Sequence, residues 1–551
     1  MPWVDGLTIG QVLDETAARF GDQDAIVFPQ TGFRLTYREL NSSVDEAALG
    51  LLALGLKRGD HVAIWATNVP QWLVLQLATA RLGIVLATVN PAYRAFELRY
   101  VLGQCDAKAL FLVDRFKSSD YFAMLTEVCP ELAGAEPGRL SAADFPKLRW
   151  VVALKGETPP GAISWDEMCR RGAERDDDLA ALQAALSYRD AINIQYTSGT
   201  TGFPKAATLS HRNLLLNGYY VGECQRLSER DRICLPVPFY HCFGCVLGTM
   251  CALVYGAAMI IPAESFHATA TLEAIERERA TALYGVPTMF IGQLRDETFS
   301  RRDLSSLRTG IMSGSPCPIE VMKQVVEKMG AREITIAYGQ TEASPVITQT
   351  RTDDPLHLRV ETVGRPLPEV EVKLIDPVTG ETLGDNQQGE LCARGHVVML
   401  GYYKNPQATA AAIDADGWLR TGDLALRQSN GYYRITGRIK DMVIRGGENI
   451  YPREIEEFLF THPDVEQVAV FGVPDPKFVE ELCAWVKPKS GATICEDELR
   501  QFCRNKLAHY KVPRYFRLVS EFPQTVTGKL QKFKMRERMI DELGLREQEM
   551  A

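Results

Sequence analysis

The 551-residue sequence has no excess of basic charge, with 61 Lys+Arg against 70 Asp+Glu and a formal net charge of -9. A general nucleic-acid or anionic-membrane surface is thereby excluded, because neutralising phosphate needs a net basic face; local basic patches stay open. There is no clean membrane span. The charge-free run from Cys245 to Ala263 is broken by Gly248 and Gly256, ends at Pro262 and lacks basic flanks, so it predicts a buried helix followed by the short strand AMII. The start, MPWVDGLTIGQVL, has neither a basic n-region nor a long apolar stretch and carries Asp5, so neither export nor a transit peptide is expected. The 13 cysteines are dispersed and odd in number, which predicts a reducing compartment and a cytoplasmic location rather than a disulfide framework. Fixed-period repeats and low-complexity linkers are absent as well.

What is present is a globular composition, 46% hydrophobic and 24% charged with 43 Gly and 29 Pro, which excludes disorder, collagen and coiled coil. Apolar runs such as HVAIWA (61–66), AKALFLV (107–113), AINIQYT (191–197) and ITIAYG (334–339) alternate with helical stretches such as SVDEAALGLLALGL and TLEAIERERA. That alternation predicts an α/β fold with largely parallel sheets covered on both faces. From about residue 360 the texture changes to short strands, EVEVKLID and GELCARG, between Pro/Gly turns, as in a small antiparallel β subdomain. After Gly437 a separate small α+β unit is expected: helix PREIEEFLFTH, strands VEQVAVFGV and ELCAWVKP, helix CEDELRQFCRNKLA and strand RYFRLVS. The basic tail FPQTVTGKLQKFKMRERM reads as a presented loop rather than core.

The segment richest in chemistry is TSGTTGFPK, directly after an apolar strand. Thr197, Ser198, Thr200 and Thr201 with Gly199 and Gly202 can wrap a polyphosphate in N–H and O–H donors, and Lys205 adds a point charge. It is not a Walker loop, which needs Ser or Thr after the lysine where Ala206 stands here. Taken alone, such a stretch also reads as a polar surface turn.

Six further motifs follow in order: PFYHCFG (238–244), SGSPCP (313–318), YGQTE (338–342), RTGD (420–423), GRIKDMVIRGGENIYPREIE (437–456) and TVTGKLQK (525–532). With TSGTTGFPKAATLSH (197–211) they resemble the adenylate-forming superfamily of acyl-CoA synthetases, luciferases and peptide-synthetase adenylation domains, nearly end to end. Within it, VNPAYRAFELRYVL, INIQYTSGTTG, YGVPTMF and IRGGENIYP are most similar to the medium-chain acyl-CoA synthetases of the family-member-2 type. Ala206 departs from the family's usual glycine; a methyl at a strand start is expected to fit.

The resemblance implies a large N-terminal domain (1–436) of two parallel-rich αβ-layered subdomains plus a β-rich subdomain, a hinge at 437–441 and a small mobile C-terminal domain (442–551). It implies an ATP-dependent ligase: a carboxylate attacks the α-phosphate of MgATP, pyrophosphate leaves, and the CoA thiol attacks the acyl-adenylate. ATP, Mg²⁺ and coenzyme A are the implied cofactors. A small carboxylic acid is the partner, with no nucleic acid and no integral membrane segment; a homodimer stays open. Tyr338 and Gly339 would offer adenine a flat face, Thr341 a donor to phosphate and Glu342 a hard oxygen for Mg²⁺, where a core aromatic and a solvated glutamate are the competing readings. Gln340, Gly314 and Ser315 belong to the same implied nucleotide site. Asp423 would accept both ribose hydroxyls, with Arg438 reaching sugar or phosphate, although a plain ion pair would look the same. Lys529 corresponds to the lysine brought over the reacting carboxylate and α-phosphate, Lys440 to the hinge residue, and Gly446 and Gly447 to the lining of the pantetheine path, where missing side chains admit a close approach.

His241 matches the histidine at the mouth of the acyl pocket, and a satisfied core histidine is the alternative. Cys242 and Cys245 form a CxxC without a second pair at ligand spacing, so an inert buried pair is expected and Mg²⁺ is the one metal assigned. The segments near the pocket supply no cation for a second carboxylate, which predicts an aliphatic monocarboxylic acid. A short branched or aromatic acid, or a carrier protein instead of CoA as acceptor, remains an alternative.

Overall fold

The computed structural model describes residues 1–197, 204–315, 317–445, 448–504, 506–525 and 530–545, with 448 and 449 as backbone alone. Two large sheets dominate. One holds nine strands in the order Arg365–Pro366, Val346–Gln349, Glu333–Gly339, Thr309–Met312, Ala282–Gly285, Arg232–Cys234, Ala258–Ile260, Asp24–Phe28 and Phe33–Thr36. Its six central strands, Glu333–Gly339 to Asp24–Phe28, run parallel and its edges antiparallel. The other holds eight: Gly401–Tyr402, Lys205–Ser210, Ala191–Thr197, Val85–Thr88, His61–Trp65, Ala107–Leu112, Trp150–Ala153 and Ile163–Ser164. Here too six are parallel, with an antiparallel edge formed by the first two. Strands buried on both faces must be apolar without alternation; Val62, Ala63, Ile64 and Trp65 are accordingly all fully buried.

The four strings predicted as strands from their apolar runs all form strands of these sheets. The run from Cys245 to Ala263 takes in most of the π-helical turn Phe243–Gly248, then the helix Thr249–Tyr255 and the strand Ala258–Ile260. Gly256 stops the helix at φ +70°, a left-handed cap that glycine takes without strain. Among the described residues no helix is long and apolar enough to cross a membrane.

The β-rich part is a four-stranded antiparallel sheet of Val370–Ile375, Gln388–Gly395, Leu419–Arg427 and Tyr433–Arg438. The apolar core that begins at Val4 ends at Ile435, and separate cores begin at Val443. Between them lies the single turn Ile439–Asp441. Beyond it, Val465–Asp475 and Val479–Pro488 pair antiparallel, and the far side of Val479–Pro488 carries both Tyr515–Leu518, parallel to it, and a short hairpin, Val443–Arg445 and Glu448–Ile450.

The tail is where the sequence-based expectation fails. Lys532–Leu543 is a helix, and Met535 and Met539 are buried against Ala469, Phe471, Val473, Cys483 and Trp485. Val468 and Val470 point to the opposite face, under the helices Pro452–Phe460 and Glu496–Arg504. A strand apolar on both faces needs two covers. The tail provides the second with two methionines four residues apart, too sparse a stripe to stand out in a basic stretch.

Candidate active site

The parallel neighbours Arg232–Cys234, Ala282–Gly285, Thr309–Met312 and Glu333–Gly339 end on one edge of the nine-stranded sheet. They lead into PFYHCFG, GVP, SGS and GQTE respectively, so the topology alone brings four motifs together where open α/β sheets bind ligands. The eight-stranded sheet brings the fifth. Thr197 and Lys205 face each other across an antiparallel pair, and the Thr197 hydroxyl donates to the Lys205 carbonyl at 3.4 Å. Ser198, Gly199, Thr200, Thr201 and Gly202 lie outside the described residues, as do Gly446, Gly447 and Lys529. Ala206 is buried opposite Tyr196, so its methyl is accommodated.

Glu342 is half-buried in the middle of a single turn, Thr341–Ala343. Its Oε1 accepts a hydrogen bond from the Tyr402 hydroxyl at 2.8 Å, and the Lys205 ammonium lies 5.1 Å from the centroid of that ring. The turn is shaped by backbone contact: the Gln340 N–H donates to the Pro345 carbonyl at 2.8 Å, and a Cβ on Gly339 would lie 1.8 Å from the same oxygen. No other residue fits at Gly339. Gly314 has φ +87°, again a glycine conformation, and the neighbouring Ser313 hydroxyl donates to the Ala337 carbonyl at 2.6 Å. Ser315 is half-buried beside it, its carbonyl accepting from the Cys317 thiol at 3.5 Å.

Asp423 is buried and faces Arg438 across an antiparallel pair. Its Oδ2 accepts from the Tyr338 hydroxyl at 2.8 Å and its Oδ1 from Arg438 Nε at 3.0 Å. The ion pair is therefore real, and each carboxylate oxygen keeps a further lone pair for a ligand. Burial and the Asp423 charge push the Tyr338 phenol well above its ordinary pKa, so it stays a donor. Lys440 is exposed on the turn after this strand, within electrostatic reach of Asp423 and Glu342. The atoms packed about its ammonium, and then the Arg438 cation, lower its pKa.

His241 stands two residues before the π-helical turn, the kind of helix irregularity found at functional sites. Its Nδ1 accepts the Phe243 N–H at 3.1 Å, which leaves the ring proton on Nε2. The Cys242 thiol lies 3.6 Å from both His241 Nδ1 and the Thr341 hydroxyl, linking the histidine loop to the YGQTE turn. Gly244 is required, since a Cβ there would sit 2.3 Å from the Pro238 carbonyl. The side chain that holds this loop in place is Asn68, whose amide donates to the Val237 carbonyl and accepts from the Phe239 N–H, both at 2.9 Å. Neither Asn68 nor Tyr402 was legible in the sequence: both lie far from the loops they support, and neither residue type signals chemistry alone.

All 13 cysteines are free thiols. Burial pushes Cys242 up to about 12 and Cys245 well above the ordinary thiol value, as expected of an inert pair. Alkylation of the native protein at mildly alkaline pH is therefore expected at exposed Cys495, with Cys242 and Cys245 reacting only after unfolding. Peptide mass spectrometry checks this, and native labelling of either would contradict their burial.

Residues 13–403 match the family described as AMP-binding enzyme, and residues 454–529 match the AMP-binding enzyme C-terminal domain. YngI of Bacillus subtilis (strain 168), classed by name with the acyl-CoA synthetases, is 50% identical over 98% of both chains. The mitochondrial medium-chain acyl-CoA ligase ACSF2 of Bos taurus is 44% identical over 98% of this chain and 88% of its own. Among solved structures, ATP-bound MatB from Rhodopseudomonas palustris superimposes with a TM-score of 0.81 at 29% identity, covering 97% of this chain and 100% of its own. The apo form of the same protein, covering 97% and 99%, gives 0.71. With two family domains matched in order along the chain and half of its residues shared with a full-length relative, the protein belongs to the AMP-binding, adenylate-forming enzyme family.

Proposed function

We propose that this AMP-forming ligase converts a medium-chain aliphatic monocarboxylic acid to its CoA thioester. The observation that carries the reading is a pair of contact chains, Lys205–Tyr402–Glu342 and Tyr338–Asp423–Arg438, joined through the YGQTE segment that ends the parallel strand Glu333–Gly339. The first suits a triphosphate and the second a ribose. In the first half-reaction the substrate carboxylate oxygen bonds to the α-phosphorus and pyrophosphate leaves. In the second the CoA sulfur bonds to the acyl carbon, AMP leaves and the thiol proton passes to solvent. Thr197 and Lys205 would hold the phosphates, Thr341 would donate to the α-phosphate, and His241 would donate from Nε2 at the mouth of the acyl site.

The residues present fit Mg²⁺: Glu342 is a hard oxygen donor, and no described residue donates a hydrogen bond to its Oε2. Bound there, the ion would neutralise phosphate charge. We divide the chain into a large domain (1–436), a hinge at 437–441 around Lys440 and a small domain (442–551). The break between apolar cores at Ile435 and Val443 favours that division. The higher score against the ATP-bound structure supports an orientation that accompanies ATP. So does the position of Gln524, which flanks the Lys529 segment and shares a crevice with Thr288, Ile291 and Arg295 of the large domain.

The aliphatic assignment rests on the apolar residues around the histidine loop, Phe239, Phe243, Tyr284, Val286 and Phe290, all buried. Medium chain rests on the likeness to ACSF2. Free thiols throughout favour a reducing compartment, the cytoplasm. Pyrophosphate release with MgATP, measured across straight-chain acids of increasing length and benzoate with and without CoA, tests the reading. CoA-stimulated turnover peaking at medium chains is expected. Release without acyl-CoA would reassign the acceptor to a carrier protein, and no release with any acid would overturn the activity.

A further inference from the structure

Tyr402 touches both ends of the nucleotide site. Its hydroxyl donates to Glu342 Oε1 at 2.8 Å, and its ring lies under the Lys205 ammonium at 5.1 Å, within cation–π range. Its backbone is fixed independently of either contact. Gly401–Tyr402 is the edge strand on Lys205–Ser210, with Ala207 opposite Tyr402. The Tyr403 N–H donates to the Ala206 carbonyl at 2.8 Å, and the Leu400 N–H to the Thr208 carbonyl at 2.9 Å. The Met399 N–H donates to the Glu342 carbonyl at 3.0 Å, and the Tyr402 N–H to the Thr409 hydroxyl at 2.9 Å. One short strand thus ties the phosphate-loop strand to the glutamate turn, and one side chain repeats the link with charged groups.

Resting on the function proposed above, we propose that Tyr402 is a positioning residue for the metal–triphosphate: its hydroxyl orients the Glu342 carboxylate toward the cation, and its ring face holds Lys205 over the phosphates. Partners that orient a metal-binding carboxylate typically govern 10- to 100-fold in metal affinity, roughly the range expected here. The two contacts separate by substitution. Tyr402→Phe keeps the ring and loses the donor, whereas Tyr402→Leu loses both.

The test is Mn²⁺ binding to the full-length protein with a non-hydrolysable ATP analogue, followed by electron paramagnetic resonance, with metal-free analogue binding followed by calorimetry. Tyr402→Phe is expected to weaken Mn²⁺ about 10-fold and leave metal-free nucleotide affinity unchanged, and Tyr402→Leu to weaken both. In a Glu342→Gln background, Tyr402→Phe should have no further effect on Mn²⁺. Wild-type Mn²⁺ affinity in Tyr402→Phe, or additive effects in the double variant, would overturn the inference; Tyr402→Phe alone decides it if the leucine variant does not fold. If the wild-type protein itself bound no Mn²⁺ with the analogue, the nucleotide reading would fall and the inference with it.

Discussion

Replacing Lys529 by alanine is expected to slow acyl-adenylate formation by about 10²–10³-fold or more, while thioester formation from preformed acyl-adenylate proceeds at the wild-type rate. The ammonium is assigned to the charge that develops between the attacking carboxylate and the α-phosphate. Losing one such donor in a water-poor site removes about 2.7–4 kcal/mol of transition-state stabilisation. The second half-reaction breaks the bond between acyl carbon and phosphate oxygen under sulfur attack, and in the proposed scheme the small domain has by then turned the Gly446–Gly447 segment toward the site. Gln524 and Leu530 form an antiparallel bridge on either side of the Lys529 segment, with Gln524 lining a crevice beside Thr288, Ile291 and Arg295. Single-turnover kinetics of each half-reaction provides the measurement. Equal loss in both would defeat the assignment of Lys529 to one state of the domain pair.

Asp423→Ala is expected to weaken ATP binding by about 10²–10⁴-fold. Two hydrogen bonds from ribose hydroxyls to a carboxylate contribute about 1.5–3 kcal/mol each, and each 1.4 kcal/mol is tenfold in affinity. The acid is already oriented by Tyr338 at 2.8 Å and Arg438 at 3.0 Å, so the ligand meets acceptors fixed in place. Asp423→Asn keeps one acceptor oxygen and should fall between wild type and alanine. Tyr338→Phe removes an orienting bond and leaves the carboxylate, so it should cost less than either. Calorimetric titration with a non-hydrolysable ATP analogue reads all three. A loss below tenfold in Asp423→Ala would reduce the Asp423–Arg438 contact to a structural ion pair.

The strands were legible because a doubly covered parallel sheet demands unbroken apolar runs, as in HVAIWA and AINIQYT. The tail helix was hidden because its two core residues, Met535 and Met539, are outnumbered by lysines and arginines. The stronger signal for it lay elsewhere, in a strand, VEQVAVFGV, apolar on both faces.

By itself the sequence determined the family and the order of the motifs, and it supplied the residue types proposed here for phosphate, ribose and metal, because those types in that order already suggest the chemistry. It also carried the positions where only glycine serves. Tertiary structure alone decided which groups meet. Strand order placed four motifs on one sheet edge, and antiparallel pairing set Asp423 against Arg438 and Thr197 against Lys205. The supports, Asn68 under the histidine loop and Tyr402 between Lys205 and Glu342, act across 171 and 60 residues of chain. Contacts of that span follow from packing and register, which no local pattern encodes.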